Sequence, residues 1–569
     1  MSVLFIDNNA PDDLYQLGYN EAIRPSNEEV HKEDFSFDYF IHQRLEKIFH
    51  RQRFEVIVLR YSLSSEIYTT YTGLDVALHI RLTPEWNHTH IPILFIGAES
   101  VSDVLKLSAN GNLLGTPGIF TTQKRNSDDI KKQIEWIQTN NPHIDAEVYG
   151  RFLERINIKP PAFYNNRHSI ANEWALLLLD AATGHKVLQK KKELRGIKSS
   201  LYVKHLLAKL GVEKPDFQPK NNFTIPEARG KKILLIDDEW AKGWLELYGA
   251  IFAGAELEHV DLRKGMTEQE VIDCAKKKIK QDEWDLVLLD VRLTDGDHKT
   301  DRNYIDYTGF EVLSDVIIDE EEGGDPWSSV IITSASQQYR TYNYGRSLSA
   351  LGEFIKPGLE SRIDEINLDA FKEAALHAFQ ISTYRKRFSK LLVKNLRTSE
   401  TFKNLHLLEK SSRSLFDMCI TNLKNLPYSK DNKQKGGSLD YAFLNLYGIV
   451  ENYVKCVTRS KGKTVDIVYH REINIRDVNH WKLTYDKRGF FTRKENLFAD
   501  NIQFGTLAKF SALLGHVYRK NDKVLKEFGR LNKLRNDTAH GARKKVTKAD
   551  FDSLLHLVET IDLNRKEQS

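Results

Sequence analysis

The sequence predicts a multidomain protein of the α/β plus all-α class: two doubly wound five-stranded α/β domains, a helical linker region, and a C-terminal helical bundle with a small β insert. Three observations predict it. Strand-like apolar runs occur in two separate regions, the two regions repeat one another in sequence, and the last third has a helical pattern. A chain of 569 residues also exceeds what one core accommodates. The predicted domains are residues 1–145, 146–229, 230–384 and 385–569.

Each of the two α/β regions contains four continuous runs rich in Val, Ile and Leu. Runs of this length, bounded by turn-forming residues, are typical of strands buried on both faces of a parallel sheet. The runs lie at 2–7, 54–61, 91–97 and 117–122, and at 231–239, 284–293, 329–336 and 352–357. After residue 385 the pattern is helical except for a strand-and-turn insert near 464–492, where YDKRGFF is typical of a hairpin.

An internal repeat connects the two α/β regions. VLFID at 3–7 matches ILLID at 233–237, and EVIVLRYSL at 55–63 matches DLVLLDVRL at 285–293, both at an offset of 230 residues. TGLDV at 72–76 then matches TGFEV at 308–312 after a further shift of six. We expect two copies of one α/β unit.

The composition is that of an ordinary globular protein, with 41% hydrophobic and 28% charged residues. No apolar run reaches the roughly 18 residues that a membrane-spanning helix needs, and the first residues, MSVLFIDNNA, lack a signal-peptide pattern. The cysteines Cys274, Cys419 and Cys456 have no metal-binding or redox spacing. We therefore expect a cytoplasmic protein without disulfides and without a membrane partner.

The net charge of +4 is unevenly distributed along the chain. Residues 385–569 carry about +18, which leaves about −14 on the preceding residues. A basic C-terminal third joined to an acidic remainder indicates contact with a polyanion. The alternative is a solvated, lysine-rich surface without such a ligand, and charge alone does not decide between the two.

Polar and charged residues end the strands of the second α/β region. Asp237 and Asp238 follow the first run, Asp290 ends the next, and Ser334 and Lys356 end the last two. Because functional residues gather at the carboxyl ends of the strands in a doubly wound sheet, we expect them at one edge. Three carboxylates there repel one another unless a divalent cation lies among them, and oxygen ligands suit Mg²⁺. A hydroxyl and an ammonium can hold phosphoryl oxygens while a carboxylate attacks phosphorus.

This set resembles the receiver domain of two-component response regulators, which has a flavodoxin-like fold. The resemblance covers about 150 residues and rests on four motifs in order: an acidic pair, an acceptor Asp, Ser-Ala and Lys-Pro. It implies that Asp290 accepts phosphate from a histidine kinase or another phosphodonor protein. The implied Mg²⁺ ligands are Asp237, Asp238, Asp290 and the backbone carbonyl of Arg292, and the implied phosphate-switch residues are Ser334 and Lys356.

Two features depart from the receiver pattern. The glycine that usually follows the acceptor closely is Gly309, nineteen residues after Asp290, so residues 294–307 (TDGDHKTDRNYIDY) form an insert at the mouth of the pocket. Either this insert gates the pocket or contacts a partner, or it is a solvated loop. Glu353 occupies the usual place of the aromatic switch residue, with Phe354 one position later, so ordinary aromatic switching is not expected.

The first copy lacks the acceptor. At the matching positions it has Asp7-Asn8, Arg60, Gly97 and Thr122. Arg60 replaces the acceptor aspartate, and we hypothesise that its guanidinium fills the place of the metal. This copy is not expected to be phosphorylated, and dimerisation, partner docking and sensing remain open as its role.

The C-terminal region carries an R-x4-H sequence at 535–540, RNDTAH. Arg535 can stabilise the charge of a phosphorane, and His540 can move a proton on or off a ribose 2′-hydroxyl or a leaving oxygen. Together they can cleave RNA without a metal or another cofactor. The structural alternative is that Arg535 binds a carboxylate and His540 caps the helix end, where Gly541 is a suitable C′ residue.

The R-x4-H sequence, with Asn536 after the arginine, resembles the signature of HEPN domains, and helical patterns near 400–425, 437–458, 503–519, 522–540 and 547–562 fit that family. The resemblance implies a metal-independent endoribonuclease with Arg535, Asn536 and His540 as catalytic residues. It also implies a homodimer whose two motifs line one cleft, and a role in stress or phage defence. The basic residues expected to bind the RNA backbone are Arg530, Lys533, Arg543, Lys544, Lys545 and Lys548.

The sequence thus predicts a response-regulator-like protein whose receiver controls a HEPN-type endoribonuclease. The alternative is a non-enzymatic signalling adaptor whose HEPN-like domain only dimerises or binds RNA.

Overall fold

A computed structural model gives the fold. It describes residues 2–7, 16, 18–23, 25, 36–63, 71–124, 126–140, 144–160, 167–190, 197–212, 222–299, 302–318, 325, 327–334, 339–348, 350–363, 366–396, 403–426, 437–461, 464–467, 482–485, 491–494, 510, 514, 522–541 and 545–560. Within these ranges no helix is long and apolar enough to cross a membrane.

The chain divides into two compact units. The first contains residues 1–224 with two later segments, 241–251 and 356–366. The second contains residues 225–240, 252–355 and 367–569. The domain boundaries predicted at 145, 229 and 384 are based on sequence pattern, whereas the two units are defined by contacts between residues. Those boundaries stay a prediction.

The first unit is built on a five-stranded parallel sheet. Its strands are β1 (Val3–Ile6), β2 (Tyr19–Glu21), β3 (Val56–Arg60), β4 (Ile93–Ile96) and β5 (Ile119–Thr122). Their order in the sheet is β2-β1-β3-β4-β5, which is the flavodoxin-like order of a doubly wound fold. The inner strands are buried except at Arg60, the last residue of β3, as their continuous apolar sequences predict.

The first unit also contains helices between and after these strands, in the linker region and in the later segment 241–251. They are α1 (Phe37–Arg51), α2 (Thr72–Arg81), α3 (Val101–Leu107), α4 (Ser127–Asn140), α5 (Ala146–Arg155), α6 (Arg167–Thr183), α7 (Leu201–Leu210) and, from the later segment, α8 (Trp244–Ile251). Side chains cap three of them: Ser36 accepts from the backbone N–H of Tyr39, Ser100 caps α3, and Asp145 caps α5. The sequence 146–229 is therefore helical, as predicted, in the part that the structure describes.

A buried lysine joins α7 to the first α/β domain. Lys204 Nζ lies 3.0 Å from Nδ1 of both His42 and His79 and donates to Thr83 Oγ1 at 2.8 Å. Three acceptors match the three donors of one ammonium, so the buried charge keeps its hydrogen bonds. Burial, together with the Lys204 charge, lowers the pKa of His79 to about 4, which keeps its imidazole neutral and able to accept.

The second unit contains the other five-stranded parallel sheet. Its strands are β6 (Lys232–Ile236), β7 (Glu256–His259), β8 (Leu286–Asp290), β9 (Val330–Ser334) and β10 (Gly352–Ile355). The order β7-β6-β8-β9-β10 repeats that of the first sheet. Two five-stranded doubly wound sheets are therefore confirmed.

One strand in each sheet was not predicted, because its sequence is not a continuous apolar run. β2 reads YNE and β7 reads ELEH, and both lie at a sheet edge. An edge strand has one neighbour and a partly solvated face, so short polar sequences suffice there. The four runs found in each copy correspond to the other four strands of each sheet.

Helices of the second sheet include α9 (Glu268–Ile279), α10 (Thr308–Glu311), which continues as a π-helix over Val312–Ile318, and α11 (Tyr339–Ser347). Thr267 begins α9 with a capping box that involves Glu270. The apolar faces of these helices cover the strands in one core that includes Leu234, Val287 and Phe310.

A 29-residue helix, α12 (Leu368–Leu396), belongs to both parts of the second unit. Near its start Phe371 packs on Phe354 of β10. Further along, Tyr384 and Phe388 lie in the core of the C-terminal helices, where Trp327 from the sheet domain also packs. The helix continues across the predicted boundary at residue 384. The sheet domain and the helical domain therefore pack against each other along this helix.

The remaining helices form the C-terminal bundle. They are α13 (Lys403–Lys424), α14 (Ser438–Val457), α15 (Asp522–Ala539) and α16 (Lys548–Glu559). These four agree with the predicted helices near 400–425, 437–458, 522–540 and 547–562, while the one near 503–519 lies outside the described residues except for Phe510 and Leu514. In the described residues of the β insert, two pairs of strands are antiparallel: β11 (Thr458–Lys461) with β12 (Thr464–Ile467), and β13 (Lys482–Tyr485) with β14 (Phe491–Lys494).

Candidate functional site

Three carboxylates meet at the carboxyl end of the second sheet. Asp237 and Asp238 follow β6, and Asp290 is the last residue of β8, its neighbour in the sheet. One oxygen from each lies within 4.8 Å of the others. The sequence prediction that these residues converge is borne out by this geometry, because parallel neighbours bring their carboxyl ends to one edge.

Local backbone contacts orient two of the carboxylates. Asp237 is fully buried, and its Oδ1 accepts from the backbone N–H of Glu239 at 2.8 Å. Asp290 is 1% exposed, and its Oδ1 accepts from the backbone N–H of Arg292 at 3.2 Å. The Arg292 guanidinium donates a hydrogen bond to the Tyr307 hydroxyl at 3.0 Å. Metal binding by its carbonyl stays a prediction.

The two other predicted residues follow on the next strands. Ser334 ends β9, is 1% exposed, and pairs in register with Ile355, the last residue of β10. Lys356 comes directly after β10 and is fully buried, with its ammonium 4.4 Å from the centroid of the Trp244 ring. Their contact with a phosphoryl group stays a prediction.

At this carboxyl end of the second sheet, the three carboxylates offer only oxygen ligands, and they bring three negative charges close together. Such a set fits a hard divalent cation such as Mg²⁺, which also keeps places for water and for a phosphoryl oxygen. Asp237, Asp238 and Asp290 are the residues that would hold it.

A glycine lies against the predicted acceptor position in both copies. The Gly309 N–H donates to the carbonyl of Val291 at 3.0 Å, and the Gly73 N–H donates to that of Tyr61 at 2.9 Å. A Cβ on Gly309 would lie 2.2 Å from the carbonyl oxygen of Asp290, and one on Gly73 would lie 1.8 Å from that of Arg60. The matching contacts place Arg60 where the second copy has Asp290.

We expect Gly309→Ala and Gly73→Ala each to lower the free energy of unfolding by about 1–3 kcal/mol, because each Cβ would overlap backbone atoms that cannot move aside. Gly150→Ala is the control, because Gly150 lies in α5 with nothing within 4 Å of an added Cβ. Thermal unfolding of the three variants measures the difference. Equal melting temperatures for Gly309→Ala and Gly150→Ala would contradict the tight approach.

The first copy has no acceptor chemistry at this point. Arg60 Nε donates to Asp7 Oδ2 in an ion pair, so a guanidinium neutralises the carboxylate that remains. At the position that matches Ser334, a Cβ on Gly97 would lie 2.2 Å from the Tyr61 ring, which leaves no room for a hydroxyl side chain. Thr122 ends β5 as predicted, and Asn8 lies outside the described residues.

The R-x4-H residues lie at the end of α15. Arg535 Nη2 donates to Glu451 Oε1 on α14 at 2.6 Å, and Nη1 donates to Asn536 Oδ1 at 3.1 Å. The guanidinium also lies 5.6 Å from the centroid of the Tyr447 ring. His540 follows the helix and is exposed, and its backbone N–H donates to Asn536 O at 3.1 Å. Among the described contacts, none joins Arg535 to His540.

The predicted RNA-binding residues differ in how available their charges are. Arg530 donates to Glu527 and Asp550, each at 2.6 Å, and these carboxylates raise its pKa and compensate its charge. Lys533 and Lys545 are exposed, and Lys548 is half-buried. Arg543 and Lys544 lie outside the described residues. Lys533 and Lys545 are therefore better placed than Arg530 to meet a phosphate.

Two residues that contact the predicted site regions were not found from sequence. The first is Glu451, which binds Arg535 from 84 positions away in the chain. The second is Asp297 in the insert, whose carboxylate is 1% exposed and accepts from the backbone N–H groups of Thr294 and Thr308. The alternatives for the insert, a gate, a partner contact or a solvated loop, stay predictions. Neither has a local sequence signal, because both depend on contacts between distant segments.

Residues 14–122 match the family model of the inactive receiver domain. No curated protein matches the chain. The matched residues include β2 to β5 and Arg60, the residue that stands in for the acceptor. The match agrees with the prediction that the first copy is a degenerate, receiver-like domain; that it is not phosphorylated stays a prediction. The chain therefore carries an inactive receiver domain at residues 14–122, which indicates a response-regulator-like protein.

Proposed function

We propose that this chain is a response-regulator-like protein in which phosphorylation of Asp290 controls a HEPN-type endoribonuclease within residues 385–569. The observation that carries the proposal is the convergence of Asp237, Asp238 and Asp290, with one oxygen from each within 4.8 Å. Three carboxylates held this close repel one another, and a bound divalent cation reduces that repulsion.

The chemistry proposed for this edge is phosphoryl transfer to Asp290. A carboxylate oxygen of Asp290 attacks the phosphorus of a phosphohistidine or an acyl phosphate, and the bond from phosphorus to the donor's leaving nitrogen or oxygen breaks. When bound, Mg²⁺ would neutralise the carboxylates and the phosphoryl oxygens. Ser334 and Lys356 are proposed to hold the transferred group by a hydroxyl and an ammonium.

The output proposed for the helical bundle is metal-independent RNA cleavage. The ribose 2′-hydroxyl attacks the adjacent phosphorus and the bond to the 5′-oxygen breaks, with His540 moving the proton and Arg535 stabilising the phosphorane charge. Arg535 would exchange part of its contact with Glu451 for the phosphate. Asn536, which accepts from Arg535, would orient the guanidinium. Two protomers are proposed to bring both motifs to one cleft.

The path between input and output is supported by the shared helix. Ser382 and Lys386 of α12 donate to Asp285, which directly precedes the acceptor strand β8, at 2.6 and 2.7 Å. The same helix binds α16 through Arg387, which forms two hydrogen bonds with Glu559 at 2.5 and 2.8 Å. A change in β8 can therefore reach the bundle through one rigid element.

The test uses the full-length chain in two steps. Protein is treated with acetyl phosphate and Mg²⁺ or left untreated, then incubated with labelled RNA in EDTA, beside Asp290→Asn handled in the same way. We expect cleavage in EDTA to differ between treated and untreated wild type and to be equal in the two Asp290→Asn samples. Equal cleavage in all four samples would show that phosphorylation does not control the nuclease.

A non-enzymatic adaptor is the second candidate, and the Arg535–Glu451 ion pair favours it. A guanidinium already bound to a carboxylate at 2.6 Å performs the structural role that any helix-packing arginine can perform. Absence of cleavage in every sample, with RNA binding retained in a filter assay, would support this alternative.

A further inference from the structure

Arg535 of the R-x4-H motif is held by a carboxylate of the neighbouring helix. Its Nη2 donates to Glu451 Oε1 on α14 at 2.6 Å, and the two side chains are 31% and 25% exposed. A guanidinium binds two phosphate oxygens through either of two edges, Nε with Nη2 or Nη1 with Nη2. Both edges include Nη2, the nitrogen that Glu451 already holds. A phosphate that is bound by two hydrogen bonds therefore has to share or replace the contact with Glu451.

Two successive contacts between α14 and α15 keep Glu451 opposite Arg535. One turn before Glu451 on α14, the buried Tyr447 donates from its hydroxyl to Oδ1 of Asn532, which lies one turn before Arg535 on α15. The Arg535 guanidinium lies 5.6 Å from the centroid of the Tyr447 ring, and its Nη1 donates to Asn536 Oδ1 at 3.1 Å. The ion pair is thus positioned by two packed helices and not by the chance meeting of two mobile surface side chains.

The carboxylate of Glu451 opposes RNA binding at this point in two ways. It neutralises the guanidinium charge that attracts a phosphate, and its own negative charge repels one. Both side chains keep contact with water, and a partly exposed ion pair contributes little to stability, so a phosphate of the substrate can displace the carboxylate. A fully buried pair could not exchange in this way, because the released carboxylate would be left without water or a partner.

We propose that Glu451 restrains the RNA cleavage proposed for this motif by competing with the substrate for Arg535. The inference rests on the proposed function and concerns the regulation of the same site. In the free protein Glu451 occupies the guanidinium; on binding, the scissile phosphate accepts from Nη2 and the carboxylate turns to solvent. Glu451 takes no part in the covalent step. It therefore weakens substrate binding and leaves the reaction rate of the bound complex unchanged.

The test compares the full-length wild type with Glu451→Gln, which removes the charge and keeps the size of the side chain. Initial rates of cleavage of a labelled RNA are measured in EDTA over a range of RNA and KCl concentrations. We expect KM to fall about 5-fold in Glu451→Gln, with kcat within about 2-fold of wild type. The slope of log KM against log[KCl] should steepen by about one, because the phosphate contact no longer replaces an existing ion pair.

Glu527→Gln controls for the change in net charge. It also removes a carboxylate that lies 2.6 Å from an arginine of α15, but that arginine, Arg530, keeps its bond to Asp550. Its KM should stay at the wild-type value. An equal fall in KM in Glu451→Gln and Glu527→Gln would reduce the effect to overall charge and rule out a specific restraint. A lower kcat with unchanged KM in Glu451→Gln would mean that Glu451 orients the guanidinium for the reaction, which contradicts the proposal.

Binding without cleavage gives a second readout. Filter binding of 2′-O-methyl RNA, which lacks the attacking hydroxyl, is measured for wild type, Glu451→Gln, Arg535→Ala and the double variant. Glu451→Gln should bind more tightly than wild type, and this gain should disappear in the Arg535→Ala background. A gain that persists without Arg535 would overturn the competition. Absence of RNA cleavage in every sample would overturn the proposed nuclease, and the binding cycle would still decide whether Glu451 competes with RNA.

Discussion

His540→Ala should reduce RNA cleavage by the full-length chain by at least about 10²-fold, because the proton transfer that a positioned histidine supplies contributes on the order of 10²–10⁴ in rate. His540 is exposed at the end of α15, so its removal leaves no cavity and should leave the fold unchanged. The measurement is the initial rate of cleavage of a labelled RNA in EDTA at equal protein concentration, with circular dichroism to confirm folding.

His556→Ala is the matched control for His540→Ala. His556 is also an exposed histidine of the same bundle, with 77% of its side chain accessible, but it belongs to α16 and not to the R-x4-H motif. Its variant should cleave at the wild-type rate. Undiminished cleavage by His540→Ala would remove the motif from the mechanism, and equal losses in both variants would indicate a general effect of histidine loss.

Arg535→Lys separates charge from geometry at the same site. Lysine keeps the positive charge and can still bind Glu451, but it lacks the planar fork that binds two phosphate oxygens at once. If Arg535 only holds Glu451, the lysine variant should keep its activity. A loss comparable to that of His540→Ala would place the guanidinium on the phosphodiester.

The sheets and the acidic cluster were predictable because their causes are local or follow from topology. A continuous apolar run indicates a doubly buried strand whatever surrounds it, and parallel strands bring their carboxyl ends together, so Asp237 and Asp290 had to meet. The repeat located Arg60 at the acceptor position before any contact was known. The Gly73 and Gly309 contacts agree with that alignment.

Features that depend on distant pairs were not predictable. Nothing in the sequence near Arg535 indicates Glu451, and nothing in the insert singles out Asp297 as the residue that closes it. The packing partners of α12 were also not predictable. A helical sequence pattern does not indicate which part of the helix packs on the sheet domain and which part packs on the C-terminal bundle. Its apolar residues Phe371 and Phe388 look alike in sequence, yet Phe371 packs on the sheet domain and Phe388 on the C-terminal helices.

Asp285→Ala should lower the free energy of unfolding of the second unit by about 3 kcal/mol, because it removes the acceptor of three hydrogen bonds in a buried place. Asp285 is 1% exposed and accepts from the backbone N–H of Lys232, the hydroxyl of Ser382 and the ammonium of Lys386. The buried Ser382 hydroxyl would lose its partner. Asp282→Ala is the control, because Asp282 binds Lys232 in an exposed ion pair that contributes little.

The pH dependence of this effect has a defined sign. Burial raises the pKa of Asp285, but hydrogen bonds from Lys386, Ser382 and the Lys232 N–H together outweigh burial and hold the pKa below its ordinary value of 3.8. A carboxyl with a lowered folded pKa stabilises the fold above its unfolded pKa, and this contribution is lost as the pH falls through the folded value. The stability difference between wild type and Asp285→Ala should therefore be constant above about pH 5 and shrink below about pH 4.

The same substitution tests whether α12 carries the signal. Asp285 adjoins the amino end of β8, and Asp290 ends the strand, so the strand connects the proposed phosphorylation site to the helix that enters the bundle. If that connection transmits the state of Asp290, Asp285→Ala should still take up phosphate and still cleave RNA, but cleavage should no longer depend on prior phosphorylation. The measurements are label uptake from acetyl [³²P]phosphate and cleavage rates in EDTA, both below the melting temperature of the variant. If Asp285→Ala responds to phosphorylation as wild type does, the signal passes through other contacts between the sheet and the bundle. The next contact to remove is the hydrogen bond from the Trp327 indole N–H to Asp417, at 2.6 Å.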